Sequence, residues 1–555
     1  MTGPPAVPVM QGGPDPAAQR PSGIGRAAAL IAALTVLARL LGLVRTVVFS
    51  QTVGSSCLGT AYLTANNLPN IIYDIVLGGA LTAIMVPILA RPAERSAADP
   101  AAASEVGRTS AAMLTWTVVI LVPVSAMLAF AAGPIAGLLN PDNPHAGCVH
   151  AQLVTVTGQM MAVFAPQILL YGLAVVLYGV LQAHRRFAAP ALAPVISSLV
   201  VIGAYLAFIP WRADVNNLSG LPLTARLILS VGTTCGVAAL VLTALVPAWR
   251  LRLRLRPTLR FPAGIGRRAA GLAGFGAAAV LAQDASSLVV IILANSNGAH
   301  AALVLYSYGW QVFEAAYAVL AISIAVSAFP ALSVREGAEL DRVGAGSLRA
   351  VLLMCFLGTA LLLAICVPAA HALAHSSDQV PQLAAGIALF APGLAGYGLM
   401  ACLSRLLLAT GRSRLAAVAV SGGWLLVIVA DVLLVLLVTA PWVVAMLALG
   451  NTIGLTASGI ALLVTVWRVS GPAALTGARR VAVSGLAASA AGAAAGAGAA
   501  AALSSASGGM TRLAEGGAAV LAAGCALAVF AAVAYLLDRG ELRAAVARVR
   551  RMVSR

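Results

Sequence analysis

The sequence predicts an all-α polytopic membrane protein with about fourteen transmembrane helices, and three observations carry that expectation. Of 555 residues, 61% are hydrophobic and 9% charged, against roughly 25% charged in soluble domains. A water-soluble core could not hide that much apolar surface. Apolar runs of about 20 residues or more recur from Ala27 to Leu537, each long enough to cross a hydrocarbon layer of about 30 Å as a helix. The runs are continuous Ala, Leu and Val without period-two alternation. Only helices and closed barrels satisfy the backbone in lipid, so the choice falls on helices. A soluble enzyme is thereby excluded.

Taken in order, the predicted spans are 27–51, 60–90, 108–138, 150–181, 189–210, 223–249, 268–295, 301–333, 349–370, 380–409, 414–438, 441–467, 480–504 and 515–537. Residues 1–26 are rich in Pro and Gly and contain no apolar run, so they read as a disordered tail. The first span holds Arg39 and Arg45 and has no small-residue cleavage site, which makes it an anchor and not a cleaved signal. Formal charge is +17, a value that in a soluble protein would point to nucleic acid. Here it is read by loop position, and no nucleic-acid partner is expected. Arg186, the stretch Arg250–Arg268, Arg335, Arg342, Arg412, Arg479 and the tail from Arg539 to Arg555 fall in alternate loops with the N-terminus. The opposite loops hold Arg212, Arg226 and Arg512. The positive-inside rule therefore puts both termini in the cytoplasm.

A faint internal repeat runs through the apolar pattern. Val86-Pro87-Ile88-Leu89 near the end of the second span resembles Phe329-Pro330-Ala331-Leu332 in the eighth, and Tyr171-Gly172 leads to Ala183 and Arg186 as Tyr397-Gly398 leads to Ala409 and Arg412. Duplicated six-helix units with a site between them near the midplane are a recurrent transporter architecture. The expected organisation is a tail (1–26), an N-lobe (27–249), a basic linker (250–267), a C-lobe (268–467), two added helices (468–537) and a basic tail (538–555). Of seven cysteines, five lie inside predicted helices as small apolar fillers. Cys57 and Cys148 lie in loops of the outer face. They can pair if their Cα atoms come within about 7 Å, which sequence does not supply.

Ionisable residues at membrane depth are functional candidates. Arg39 sits mid-helix, and Arg45 lies about 9 Å further along and about 120° around. Each needs a wet cavity or a partner. One reading is a cationic cavity for a phosphate-bearing head group, since guanidinium matches phosphate with a planar fork of donors; the other is a structural ion pair, for instance with Asp74. Asn66-Asn67-Leu68-Pro69-Asn70 places a polar cluster and a Pro at depth, either facing a cavity or capping a packed kink. Asp284, Glu314 and Asp431 are intramembrane carboxylates, either cation ligands and proton carriers or protonated structural groups. His371 and His375 have metal-compatible spacing but lack the Glu of a zinc hydrolase at Ala372, so they read as incidental.

Together these segments resemble a family. Leu37 through Arg45, Ala65-Asn66-Asn67-Leu68-Pro69-Asn70, Gly79-Ala80-Leu81 to Leu89, His184 through Pro194, Phe313-Glu314 followed by Phe329 through Ser333, and Arg405 through Gly411 stand in the order of the MurJ/MviN lipid II flippases. All 34 basic residues are Arg, which reflects GC-rich coding of an actinobacterial type. The resemblance implies the MOP exporter fold, with two six-helix lobes around a cavity and two C-terminal helices forming a lipid-tail groove. It further implies alternating access that moves lipid II, an undecaprenyl-diphosphate-linked glycopeptide, to the outer leaflet of the inner membrane.

By the same resemblance Arg39, Arg45 and Glu314 would face substrate, with Asn66 and Asn70 of the polar cluster and Gln311 beside them, and Asp284 and Asp431 would bind a coupling cation. Asn451 and Thr452 would add oxygens. Apart from that sodium ion or proton no cofactor is expected. Expected partners are lipid II and membrane lipids, with the cell-wall synthesis machinery as a further candidate. Thr60, Tyr73 and Gln311 stand where many members carry Asp, a basic residue and Arg respectively, so the cavity should hold fewer cations. The alternatives are an exporter of another polyprenyl-linked glycan or amphiphile, and a non-transporting scaffold.

Overall fold

A computed structural model describes residues 22–75, 89, 92, 94–95, 99–212, 214–251, 256–259, 265–322, 337–506 and 512–540. The tail before residue 22, Gly78-Gly79-Ala80, Val86-Pro87-Ile88, Phe329 through Leu332, most of the basic linker before 265 and the tail beyond 540 lie outside the described residues. The chain forms helices α1 (Ser22–Thr52), α2 (Cys57–Ile75), α3 (Pro100–Phe130), α4 (Ala132–Leu139), α5 (His150–Phe164), α6 (Gln167–Ala183), α7 (Ala188–Phe208) and α8 (Leu223–Trp249). It continues with α9 (Ile265–Asn297), α10 (Ala302–Tyr317), α11 (Gly337–Leu373), α12 (Gln379–Phe390), α13 (Gly393–Ala409), α14 (Ser413–Val435), α15 (Val443–Ser470), α16 (Ala478–Ala506) and α17 (Arg512–Leu537). Twelve spans among the described residues are long and apolar enough to cross a membrane. The predicted second and eighth spans are described over Cys57–Ile75 and Ala302–Ile322.

Two boundaries differ from expectation. Helix α1 begins at Ser22, inside the stretch read as tail, because the last helix-breaking residue is Pro21; α9 begins at Ile265, inside the stretch read as linker, because no Pro follows Pro262. The fourth and tenth predicted spans are each two helices. They break at Ala165-Pro166 and Ala391-Pro392, where a Pro without an N–H interrupts the helical ladder.

The breaks expose the internal repeat as hydrogen bonding. In the first half Ser125 donates its hydroxyl to the Ala165 carbonyl (2.5 Å) and Thr234 donates to Val163 (3.2 Å); in the second, Thr359 donates to Ala391 (2.9 Å) and Thr452 to Leu389 (2.6 Å). Hydroxyls of neighbouring helices thus bond carbonyls at each break, where the Ala165 and Ala391 carbonyls also accept the N–H of Ile168 and Leu394. The two broken helices also end alike. The Arg186 N–H bonds the Leu181 carbonyl and the Arg412 N–H bonds Leu407, both at 2.8 Å, with Arg185 and Gly411 at φ 57° and 73°. These are left-handed helix terminations, and the first half makes its own with a non-glycine residue. The accepting carbonyls (Val163 and Leu389, Ala165 and Ala391) and the terminations (Leu181 and Leu407, Arg186 and Arg412) share one sequence offset with Tyr171 and Tyr397, whereas the hydroxyl donors do not.

Packing follows the same plan. In the first half α1 lies against α7 and α7 against α8; in the second α9 lies against α14 and α14 against α15, while α16 and α17 pack together on α11. Gly232 and Gly236 on α8 meet Ala204 and Val201 of α7, and Gly450 and Gly454 on α15 meet Asp431 and Val427 of α14. Small residues one turn apart let these backbones approach closely.

Among the described residues the two halves share a hydrophobic core at one end only. There Phe49, Tyr62, Phe164 and Tyr205 of the first half join Val290, Ile291, Leu303, Tyr308, Leu383 and Val444 of the second. Toward the end where α1 begins, the remaining clusters belong to one half each: Met113, Val176, Val180 and Ala183, then Leu177, Leu181 and Val241, in the first, and Phe313, Leu352, Phe390 and Leu403 in the second. Among the described residues the bundle is therefore closed at one end, and no shared core joins the halves at the other.

Candidate functional site

Beyond the shared core, a cavity of about 760 Å³ opens between α1, α2, α6, α7, α8 and α10. Its closed end is aromatic. The Phe49 ring lies 5.3 Å from those of Tyr62 and Tyr205 and 6.4 Å from that of Tyr308, and the Tyr62 hydroxyl is hydrogen-bonded to Tyr205 (2.9 Å) and Thr233 (2.7 Å). The Tyr62 and Tyr205 hydroxyls thus satisfy each other within the floor, while the buried Tyr308 hydroxyl has no partner among the described residues.

Six of the residues singled out above, Arg39, Arg45, Asn66, Asn70, Gln311 and Glu314, all line this cavity. Arg39 donates to Glu314 across the cleft at 3.0 Å, with side chains 48% and 39% exposed. The ion pair weighed for Arg39 thus exists, but with Glu314 of the second half and not with Asp74. A solvated pair of this kind holds its partners by about 0–1 kcal/mol, so Arg39 stays available to a better acceptor. Arg45, half-buried, forms no ion pair with any described residue, and its charge lies within reach of the Tyr62, Tyr171 and Tyr205 hydroxyls. It is a half-buried cation with no ion-pair partner among the described residues, facing a polar hollow. Thr46, one residue on, donates to Gln311 across the cleft.

Helix α2 runs through Pro69 without a break. The Asn70 side-chain oxygen accepts from the Tyr171 hydroxyl at 2.9 Å, and the Asn66 oxygen is buried with no protein donor. Tyr73 and Asp74 continue the same face, at helical spacing from Asn66 and Asn70, and Tyr73 stacks on Tyr171 with centroids 4.4 Å apart. Sequence reading named Asp74 only as a counter-ion and missed the tyrosines as wall residues; the i, i+4, i+7, i+8 pattern from Asn66 would have found Tyr73 and Asp74. The cavity wall thus carries two arginines, two acids, amides and tyrosine faces. Such a surface can hold an anionic group by forked donors and a sugar by amides and rings.

Asp284 on α9 and Asp431 on α14 do not line this cavity. Their helices pack side by side, both side chains are buried, and three of their four oxygens have no protein donor. Buried orphan carboxylate oxygens are the kind of donor set a hard cation or a proton satisfies. Gly450 on α15 leaves no room for a side chain beside the Asp431 carboxylate. Of the further oxygens expected, Thr452 is committed to the Leu389 and Phe390 carbonyls, and the Asn451 amide donates to the Tyr306 hydroxyl (3.0 Å) and the Leu447 carbonyl (2.9 Å).

Cys57 and Cys148 form a disulfide, with Cα atoms 5.7 Å apart. The other five cysteines are free.

Comparison with known proteins places this architecture. Residues 49–512 match the family model described as lipid II flippase MurJ. A probable lipid II flippase MurJ from Synechocystis sp. is 24% identical over 253 residues, covering 44% of each chain, and a lipid II flippase MurJ from Burkholderia cenocepacia is 28% identical over 180 residues, covering 32% of this chain and 33% of that one. The matched part spans less than half the length of either relative. Among solved structures, lipid II flippase MurJ in an inward closed conformation superposes with a TM-score of 0.69 at 15% identity, covering 92% of this chain and 99% of that one. An inward-facing multidrug resistance MATE transporter of the MOP superfamily follows at 0.58 and 14%, covering 80% and 95%. At these identities the structures establish the fold, and the family match over most of the sequence establishes kinship: this chain is a multi-pass membrane protein that belongs to the MurJ lipid II flippase family.

Proposed function

We propose that the protein is a lipid II flippase, moving the undecaprenyl-diphosphate-linked peptidoglycan precursor from the inner to the outer leaflet by alternating access. The observation that carries this reading is the cavity itself. Two arginines, one of them with no ion-pair partner among the described residues, face a polar hollow walled by both halves and closed at one end by a shared core. A diphosphate supplies the anion that Arg45 lacks and a stronger acceptor than Glu314 for Arg39. Sugar hydroxyls fit Asn66, Asn70 and the tyrosine faces. The lipid tail would remain in hydrocarbon along α11, α16 and α17.

The arginine distribution supports cytoplasmic termini in the inner membrane, which makes the end away from the shared core inward-facing. Movement of the halves about the aromatic floor would then present the same cavity to the other side. Asp284 and Asp431 supply the coupling site in this reading, where sodium or a proton links the cycle to a gradient worth about 2.3 kcal/mol per charge per 100 mV.

Replacement of the resident flippase in a strain depleted of it tests the assignment. The chain is expected to restore growth. Membrane insertion without growth would assign the cavity to another polyprenyl-linked glycan or an amphiphile.

A further inference from the structure

The closed end holds a polar seam in addition to its apolar core. The loop between α4 and α5 meets the turn between α9 and α10, and two asparagines lock them reciprocally. Asn143 donates its amide to the carbonyls of Asn295 (2.9 Å) and Gly298 (2.8 Å). Asn295 in return points its amide at the Leu139 carbonyl (2.9 Å), the Thr64 hydroxyl (3.1 Å) and the Asn140 side-chain oxygen (3.2 Å). Both side chains are 7% exposed. Each amide also serves carbonyls at a helix C-terminus, groups that have no partner within their own helix.

His300 adds a third tie. Its Nδ1 lies 2.7 Å from the Ala146 carbonyl, so that nitrogen carries the proton and donates. Every acceptor it or Asn295 uses lies in residues 139–146 or on α2, and every acceptor Asn143 uses lies at the end of α9. Separation of the halves here breaks the whole set together.

The Cys57–Cys148 disulfide lies within this seam. It joins the start of α2 to the residue two beyond Ala146, and the Cys148 sulfur is 3.9 Å from the His300 ring. The loop 140–149 contains no helix of its own. Its tether to α2 therefore fixes Asn143 and Ala146 relative to Thr64, the acceptor for Asn295 on the same helix. Without that tether the loop is held to its own half by α4 and α5, and to the other half by the seam's hydrogen bonds.

We propose that Asn143 and Asn295 form a positioning latch that closes this end of the transport pathway, and that the Cys57–Cys148 disulfide holds the latch in register, so that its reduction favours the state opened at that end. This rests on the transporter reading above, in which the seam must open once in each cycle. A distance measurement across the seam needs no substrate, so its outcome is independent of whether lipid II is the cargo.

Ser219, in the loop before α8, and Thr439, in the turn before α15, are exposed on opposite halves at this end. Ketone-bearing noncanonical residues placed at these two positions take nitroxide labels without touching any cysteine, and pulsed electron-electron spectroscopy in lipid nanodiscs reads the ratio of separated to closed seams. Asn143→Ala and Asn295→Ala are each expected to raise that ratio about tenfold. Dithiothreitol added to the folded parent protein, which yields two thiols and is itself oxidised to a cyclic disulfide, is expected to move it in the same direction. In Cys57→Ser it must have no further effect. A parent-like distribution in monodisperse asparagine variants, or in the reduced parent protein, overturns the proposal.

Discussion

Replacing Arg45 by alanine separates substrate binding from folding. The guanidinium is half-buried, forms no ion pair with any described residue and faces the cavity, so its removal breaks no salt bridge in the empty protein. What it removes is a charge-assisted hydrogen bond to bound diphosphate, worth about 1.5–3 kcal/mol. With tenfold per 1.4 kcal/mol, affinity should fall about 10- to 100-fold while the thermal midpoint stays with the parent. Arg39→Ala should lose less, because Arg39 must first release Glu314, an exchange that offsets up to about 1 kcal/mol of its contribution. The same exchange gives Glu314→Gln the opposite sign, a tightening of up to about fivefold. Equilibrium binding of a fluorescent undecaprenyl diphosphate in nanodiscs, with melting curves alongside, reads all three variants. Arg45→Ala binding as the parent does, or weakening only in step with its melting point, would refute the cationic-cavity argument.

Three further outcomes follow from the geometry. Asp284→Asn and Asp431→Asn should leave insertion intact and abolish the response of flipping to imposed sodium, proton or voltage gradients in vesicles, since each replaces a buried carboxylate that holds at least one unpartnered oxygen; an unchanged response in both would make the aspartates structural. Gly396→Ala should lower the thermal midpoint by the equivalent of about 1–3 kcal/mol, because its Cβ would lie 2.5 Å from the Thr456 Cα and 2.6 Å from the Leu455 carbonyl on α15, whereas Gly422→Ala, with nothing within 4 Å, should leave the midpoint unchanged or raised. In denatured protein kept under non-reducing conditions maleimide should modify Cys57 and Cys148 only after reduction; modification of either before reduction would show the pair unbonded.

Charge at membrane depth made the cavity legible in sequence. Arg39, Arg45 and Glu314 each interrupt an apolar run at a cost that demands a cavity or a partner, and the structure provides both. Tyr171 was not legible, because a tyrosine in a membrane helix carries no comparable penalty and acquires meaning only when Tyr73 lies against it from another helix. The breaks at Pro166 and Pro392 were read through for a similar reason: hydropathy sums over a window and is blind to a missing backbone donor. Nothing in the sequence separates Asn143 and Asn295 from other polar residues near helix ends. Their role depends on contacts between residues far apart in the chain, as does the approach of Cys57 to Cys148, and no local pattern encodes either. The repeat, faint in side chains, is plainer in the backbone because Ser125, Thr234, Thr359 and Thr452 satisfy equivalent carbonyls with different residue pairs.

Translocation of lipid II by the purified chain in vesicles tests the central claim most directly, read as the fraction of a labelled precursor that becomes accessible to an impermeant reagent on the opposite face. Parent protein should move it with a gradient imposed, and Arg45→Ala, inserted to the same level, should be slowed about 10- to 100-fold. Equal, gradient-independent movement in parent, Arg45→Ala and protein-free vesicles would contradict the account.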